Sequence, residues 1–307
     1  MSIWSLVSVR VEEGSGPRVA ASCEGRLTSI PALAGYADVA DMLAAWPTVE
    51  PALRAFDPAD GVPLEGGTVL APVRSPRKLI CAGANYVDHL REMGIPELPS
   101  GLEPYFFLLP PTSIAGPGDA VVIPADLGAR VDWEAELAIV IGVPGRTIDE
   151  DDALDHVAGY TIMNDVSARG YHGRPNPLAP PFAFDWLASK GHDTFSPIGP
   201  GITPAWLVAD PQDLHVRLWR NGELEQDGST RDMIFSVRRL IAAASTVMTL
   251  EPGDVIATGT PAGVGVAQGK ALADGDVLRV EISGLGALEN PVRVEAPVPS
   301  TAKAAGA

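Results

Sequence analysis

Three carboxylates stand at the ends of two apolar stretches of the chain. Glu134 and Glu136 lie two residues apart, directly before an apolar and β-branched run that ends at Gly142. Asp165 follows a second apolar run that starts at His156. On a strand, residues i and i+2 share a face and lie about 6.5 to 7 Å apart. Carboxylates aimed at one point repel each other unless a cation lies between them or one of them is protonated.

Oxygen ligands without cysteine or clustered histidine suit a hard divalent ion such as Mg²⁺, Mn²⁺ or Ca²⁺. We therefore predict a divalent-cation site at these acids, with Mg²⁺ as the preferred ion. Their spacing alone does not decide between this site and charges that simply face water at strand ends.

Five motifs occur in an order that resembles the fumarylacetoacetate hydrolase family, in particular its bacterial two-domain acylpyruvate hydrolases and 2-hydroxyhepta-2,4-diene-1,7-dioate isomerases. Each motif alone is weak, but together they span roughly residues 75–295. The motifs are Asn85 to Glu92, Glu134 to Glu136, Asn164 to Arg169, Ser189 to Phe195, and Thr258 to Gly265.

The resemblance implies a role for each residue of the site. A histidine and a glutamate three residues apart on one helical turn would form a dyad that removes a proton from water. The implied catalytic residues are His89, Glu92 and Lys190, the implied substrate contacts are Tyr86, Arg169, His172 and Thr260, and the implied metal ligands are Glu134, Glu136 and Asp165.

The activity that the resemblance implies is metal-dependent hydrolysis of a C–C bond in a 1,3-dicarbonyl substrate of the acylpyruvate or β-diketone type, in the catabolism of aromatic or cyclic compounds. The ion would act as a Lewis acid towards the enolate that leaves. Two other reactions fit the same site: decarboxylation of an oxaloacetate-type acid, and isomerisation of a dienol to a keto form. An inactive metal-binding homologue is a further alternative.

Three positions depart from the family pattern. Leu109 stands where relatives commonly have lysine, and Gly170 where many have aspartate, while His172 replaces a glutamine. Residues 171–186 are rich in proline and aromatic side chains. We expect an apolar pocket wall and a bulkier, less charged substrate, although a rigid surface loop explains residues 171–186 equally well.

Charge and composition restrict the partners. The 307-residue chain has 39 acidic and 22 basic residues and a net charge of −17. This balance argues against nucleic acids and anionic membranes, which both bind basic patches. No apolar run reaches the roughly 18 residues of a membrane span, and no signal peptide is evident. With two cysteines only, we expect a cytoplasmic protein with free thiols; the resemblance implies a homodimer.

The elements predict an α+β fold, mainly β, since strands dominate and no alternating βαβ pattern appears. We predict a β-hairpin from residues 3–10 and 18–30, and helical turns over residues 38–56, 86–93 and 235–249. The resemblance implies a mixed β-sheet roll. The predicted divisions are a small N-terminal domain over residues 1–73, a catalytic domain over 74–295 and a disordered tail over 296–307.

Overall fold

A computed structural model describes residues 3–125, 127 and 130–296 and confirms a mainly β architecture. The predicted tail lies outside the described residues from position 297 onward. In the described part, no helix is long and apolar enough to cross a membrane.

The strands and helices are short. The strands are β1 Ser5–Arg10, β2 Arg18–Cys23, β3 Arg26–Ser29, β4 Thr68–Leu70, β5 Leu79–Gly83, β6 Tyr105–Leu109, β7 Ile114–Ala115, β8 Val121–Ile123, β9 Val131–Asp132, β10 Ala135–Ile141, β11 Val157–Asn164, β12 Ser167–Ala168, β13 Ser196–Pro204, β14 His215–Arg220, β15 Glu223–Ser229, β16 Val255–Ala257, β17 Val277–Ile282 and β18 Gly286–Val294. The helices are α1 Val39–Leu43, α2 Trp46–Ala55, α3 Val87–Glu92, α4 Trp186–Lys190 and α5 Val237–Val247.

One large mixed sheet organises the molecule. Its order is β3-β2-β1-β13-β11-β10-β16-β5-β6, with β4 beside β1 and β7 beside β13. A second sheet of five strands has the order β15-β14-β17-β18-β8. Most neighbours are antiparallel, whereas β16 with β5, β13 with β7 and β18 with β8 are parallel.

Strand β10 is buried on both faces because two cores flank the large sheet. Leu137 and Ile139 point into a core shared with the five-stranded sheet and α5. Ala138 and Val140 point into a core shared with α1 and α2. Alternate residues of a strand face opposite sides, so a strand between two cores is apolar throughout. This explains the continuous apolar run after Glu136.

The N-terminal region follows its predicted pattern with one correction. Residues 18–30 form two strands instead of one, because Glu24 and Gly25 both adopt positive φ angles and turn the chain. Asp38 caps α1, with its carboxylate accepting from the amide of Asp41. Strand β1 pairs with β13, which belongs to the predicted second domain, so one sheet runs across the predicted boundary. A domain boundary at residue 73 stays a prediction.

Four strands of the large sheet meet at one edge. Since β10 is antiparallel to β11 and β16, and β16 is parallel to β5, the start of β10 lies beside the ends of the other three. Ala135 begins β10, while Gly83, Asn164 and Ala257 end β5, β11 and β16. The segments that leave these strands therefore converge there.

Candidate active site

The three acids predicted as metal ligands converge at this edge. Glu134, Glu136 and Asp165 each present an oxygen within 4.8 Å of the others, and all three are buried. Glu134 and Glu136 do not share one regular strand as predicted, because β9 ends at Asp132 and Glu134 lies in the break before β10.

Hydrogen bonds across the break hold this arrangement. The amide of Glu134 donates to Oδ1 of Asn164 at 3.0 Å, and the amide of Asp165 donates to the carbonyl of Glu134 at 2.8 Å. Asn164 ends β11 and so ties the broken strand to its neighbour. The carboxylates of Glu134, in the break, and of Asp165, directly after β11, are thereby held close to each other.

Two buried cations contact the triad. Lys190, at the end of α4, donates from Nζ to Glu134 and Asp165, both at 2.7 Å. Arg169 donates from Nη2 to Glu134 at 2.6 Å and from Nε to Asp132 at 2.7 Å. Both predicted cationic residues therefore lie beside the predicted ligands.

The pKa values report how charge is shared among these groups. Burial alone would raise the pKa of Glu134, but the positive charges of Lys190 and Arg169 lower it to about 2. Burial, the nearby Asp165 and the nearby Glu134 raise the pKa of Glu136 well above its usual range. Burial also raises the pKa of Asp165, to about 6, against the opposing charge of Lys190. The cluster is therefore short of positive charge at Glu136 and Asp165.

This shortage fits a divalent cation. Asp132 and the triad carry four carboxylates, while Lys190 and Arg169 carry two positive charges. Oδ1 of Asp165 is buried without a hydrogen-bond partner, although buried oxygens normally have one. An all-oxygen set of this kind is the ligand chemistry of hard divalent ions. The site therefore fits the divalent ion that the sequence predicts.

The predicted acid–base pair lies on the short helix α3. Nδ1 of His89 and Oε1 of Glu92 are 2.6 Å apart, and His89 is 6% exposed. Oε2 of Glu92 accepts from the amide of Gly263 at 2.9 Å. Because a carboxylate only accepts, Nδ1 carries the hydrogen and Nε2 of neutral His89 has its lone pair free.

The glycine-rich segment after β16 anchors α3. The side-chain amide of Asn85 donates to the carbonyls of Thr258 and Phe235, at 2.8 and 3.0 Å. Oδ2 of Asp88 accepts from the amide of Ala262 at 3.2 Å. The second glycine of the segment, Gly263, has φ +103, and a Cβ there would lie 2.2 Å from a backbone carbonyl oxygen. Only glycine fits this close approach.

The triad, both cations and His89 line one cavity of about 250 Å³. Its opposite wall is apolar, with Phe107 stacked on Trp186 at 4.8 Å between ring centroids. His172 packs edge-on against Trp186 at 4.3 Å. Volume alone does not identify the site: a cavity of about 690 Å³ beside Arg10 contains no such triad.

Two residues that were predicted to contact the substrate do not offer a free hydroxyl group to the cavity. Thr260 lines the cavity, but its hydroxyl donates to the carbonyl of Ala135 and accepts from Gln226, both at 2.9 Å. Tyr86 is fully buried behind the site, with its hydroxyl unpaired, and is not part of the cavity lining. Their roles towards a substrate stay predictions.

The departures from the family pattern differ in their placement. Leu109 is 4% exposed within the core that includes α1 and α2, and it does not line the cavity. Gly170 is exposed with open space around it. In the segment 171–186 only the ends, His172 and Trp186, reach the cavity, whereas Leu178 is 92% exposed. The two residues that reach the cavity therefore fit the predicted pocket wall, whereas the exposed Leu178 fits the alternative of a surface loop.

Sequence reasoning missed two components of the site. Asp132 holds Arg169 in place, and its signal was present, because Asp132, Glu134 and Glu136 alternate in the sequence. Phe107 had no signal beyond its apolar character, since only the pairing of β6 with β5 brings it beside α4.

Comparisons with known proteins show which family this chain resembles. The model of the fumarylacetoacetate (FAA) hydrolase C-terminal family matches residues 78–293. The mitochondrial oxaloacetate tautomerase fahd2 of Xenopus laevis is 47% identical over 227 residues, which cover 73% of this chain and 68% of the relative.

Two solved structures resemble nearly the whole chain. Fumarylacetoacetate hydrolase from Exiguobacterium antarcticum gives a TM-score of 0.78 at 35% identity, covering 96% of this chain and 100% of that one. Maleylpyruvate hydrolase from Sphingobium sp. SYK-6, in complex with manganese(II) and pyruvate, gives 0.76 at 33% identity, covering 95% and 100%. The family model matches more than half of this chain, so the chain belongs to the fumarylacetoacetate hydrolase family.

Proposed function

We propose that this protein catalyses keto–enol tautomerisation of a 2-oxo dicarboxylic acid of the oxaloacetate type. The observation that carries the proposal is that His89, whose Nδ1 contacts Glu92, lines the same cavity as the carboxylate triad. Tautomerisation needs a proton carrier and stabilised negative charge, but no attacking water. The name of the Xenopus laevis relative supports this reaction over the C–C hydrolysis expected from the sequence.

His89 is the proposed proton carrier. With Nδ1 held by Glu92, Nε2 can take a proton from the carbon next to the 2-oxo group, and return one in the opposite direction. Glu92 is held in turn by the amide of Gly263, so it fixes the orientation of the imidazole and stabilises its charged form. The reaction moves one proton between carbon and oxygen, and no atom is gained or lost.

The cations bind and orient the substrate. Burial would lower the pKa of Lys190, but the charges of Asp165 and Glu134 raise it, so this side chain stays charged and serves as a hydrogen-bond donor to substrate oxygens. Glu134, Glu136 and Asp165 would hold the divalent ion, with Mg²⁺ or Mn²⁺ as the proposed identity. When bound, the ion supplies Lewis-acid stabilisation of negative charge that develops on the 2-oxo group.

The substrate's size follows from the cavity walls. Phe107 and Trp186 exclude water from one side, and a dry site strengthens electrostatic contacts inside it. The expectation of a bulkier substrate loses Leu109 as support, because that side chain lies in the core. A cavity of about 250 Å³ suits a short acid better, and a bound divalent ion would supply the positive charge that a dianion needs beside these carboxylates.

Hydrolysis of an acylpyruvate is the second candidate. It is favoured by the same dyad, because Nε2 of His89 could deprotonate a water molecule as well as a carbon. The similarity to a maleylpyruvate hydrolase also supports it.

One experiment with three readouts separates these reactions. Purified protein with Mg²⁺ or Mn²⁺ is given the enol form of oxaloacetate, and the decay of enol absorbance is compared with pyruvate release and with cleavage of acetylpyruvate. We expect accelerated enol decay with little pyruvate formed. Pyruvate release from oxaloacetate at the same rate as enol decay would indicate decarboxylation. Cleavage of acetylpyruvate faster than tautomerisation would favour the hydrolase and reject the proposal.

A further inference from the structure

A second cavity, of about 310 Å³, lies against the first. Arg169 and Val266 line both cavities, and the second is completed by Arg130, Asp132, Lys270 and two small residues, Gly269 and Ala271. Three of its seven lining residues are cationic, in a protein with a net charge of −17. Such a concentration of positive charge needs an explanation.

The backbone register places two of the arginines together. Strands β9 and β12 are antiparallel, with Asp132 opposite Ser167 and Val131 opposite Ala168. The next pair in this register is Arg130 and Arg169, and the amide of Arg169 donates to the carbonyl of Arg130 at 2.8 Å. Directly opposed residues share a face, and like charges in that position are unfavourable.

The acids nearby do not balance all of this charge. Both oxygens of Asp132 are already used, by Nε of Arg169 and by the amide of Val266, each at 2.7 Å. Lys270 pairs with the buried Glu225 at 2.5 Å. Among the residues that the structure describes, Arg130 has no ion-pair partner, and the ion pairs of Arg169 use only Nε and Nη2.

We infer that this second cavity binds a small anion of the carboxylate or phosphate type, held by Arg130, Lys270 and the remaining guanidinium hydrogens of Arg169. Charge-assisted bonds of this kind are the strong ones, and an arginine fork matches these anions. Two sources supply such chemistry. One is the far carboxylate of a substrate that extends past Arg169, which rests on the proposed function; the other is a free anion.

Occupancy of the second cavity is communicated to the active site through Arg169. The same guanidinium donates to Glu134, one of the proposed metal ligands, at 2.6 Å. An anion that draws on Arg169 weakens its hold on Glu134 and so changes how strongly that carboxylate attracts a cation. The metal affinity therefore depends on the anion even when no substrate turns over.

Anion binding to the full-length protein tests the inference. Inorganic phosphate and succinate are titrated by calorimetry into wild type, Arg130→Gln and Lys270→Gln, with Arg18→Gln as the matched control. Arg18 is also exposed and has no ion-pair partner among the described residues, but it belongs to strand β2 of the large sheet and does not line this cavity. We expect each cavity variant to lose about tenfold in affinity, while Arg18→Gln binds as wild type does. Anion binding that is absent from wild type, or equal in all four proteins, would overturn the inference.

Two further measurements show whether the anion in the second cavity is the far carboxylate of a substrate or a free anion. If the substrate's far end occupies the cavity, Arg130→Gln raises KM for a seven-carbon 2-oxo dicarboxylate more than for oxaloacetate. If a free anion does, phosphate shifts the Mn²⁺ affinity of wild type but not of Arg130→Gln, and both substrates respond alike. Because the binding arm needs no turnover, an inactive protein that still binds anions through Arg130 would reject the proposed function alone.

Discussion

Two pairs of a histidine and a carboxylate occur among the described residues, and their surroundings differ. His89 and Glu92 lie on α3 with side chains 8% and 17% exposed, and His89 lines the cavity that contains the carboxylate triad. His215 and Asp227 lie on the adjacent strands β14 and β15, with side chains 49% and 50% exposed. The two pairs have the same chemical groups in direct contact.

The exposed pair shows what contact alone achieves. Water screens an exposed ion pair, which typically contributes up to about 1 kcal/mol. Asp227 has no backbone amide among its bonds in the described part of the chain, whereas Glu92 is fixed by Gly263. A histidine beside an acid therefore indicates a catalytic pair only when the acid is held and the free ring nitrogen faces a site.

The largest expected effect comes from removing a negative charge from the carboxylate triad, which the exposed pair lacks. Glu136→Gln keeps an acceptor for the amide of Gly259, which donates to Glu136 at 2.7 Å, but removes a proposed ligand charge. We expect loss of Mn²⁺ binding in calorimetry, and a fall in tautomerisation of at least about 10³-fold, since Lewis-acid stabilisation is worth several kcal/mol.

The variant should stay folded, because burial and two neighbouring acids already raise the pKa of Glu136 and favour its neutral form. Asp227→Asn is the matched control and should leave metal binding unchanged. Wild-type Mn²⁺ affinity in Glu136→Gln would remove Glu136 from the proposed ligand set.

Replacing each histidine with glutamine tests directly whether the two pairs differ in function. His89→Gln should slow tautomerisation by about 10² to 10⁴-fold, the usual range for general acid–base help, while Mn²⁺ affinity stays as in wild type. His215→Gln should have wild-type kinetics. Equal rates in wild type and His89→Gln would show that His89 does not carry the proton.

Much of the site could be predicted because its residues lie in short local patterns. His89 and Glu92 are three apart on one turn, and Glu134 and Glu136 alternate, so local geometry brings each pair together. Arg169 and Lys190 were found through motifs of the family. All of these residues line the cavity or contact one that does.

The remaining features depend on contacts distant in sequence. The strand break at Glu134 is stabilised by Asn164, thirty residues away in the sequence. No local sequence pattern predicts this break. Leu109 reads as a pocket residue in its motif, but the pairing of β6 with β5 turns it into the core. Homodimer formation, a cytoplasmic location and the absence of nucleic-acid and membrane partners stay predictions from the sequence.

His172 adds a third environment to the comparison, with cations instead of an acid beside the ring. Burial, and then the charges of Arg169 and Lys190, lower the pKa of His172 below its ordinary value of 6.5. The folded state therefore takes up a proton less readily than the unfolded chain. By linkage, this group's contribution to stability is fully present above about pH 6.5 and declines as the pH falls towards the folded-state pKa.

The smallest expected effect is consequently a difference between two melting curves. Between about pH 7.5 and about pH 5, on either side of the ordinary histidine range, the melting temperature of His172→Gln should fall less than that of wild type. Phe184→Leu is the control, because Phe184 packs against His172 with ring centroids 5.3 Å apart but does not titrate. It should show the wild-type fall. If His172→Gln and wild type lose the same stability on acidification, Arg169 and Lys190 do not lower the pKa of His172. The surroundings of a histidine would then affect its pKa less than this comparison of environments predicts.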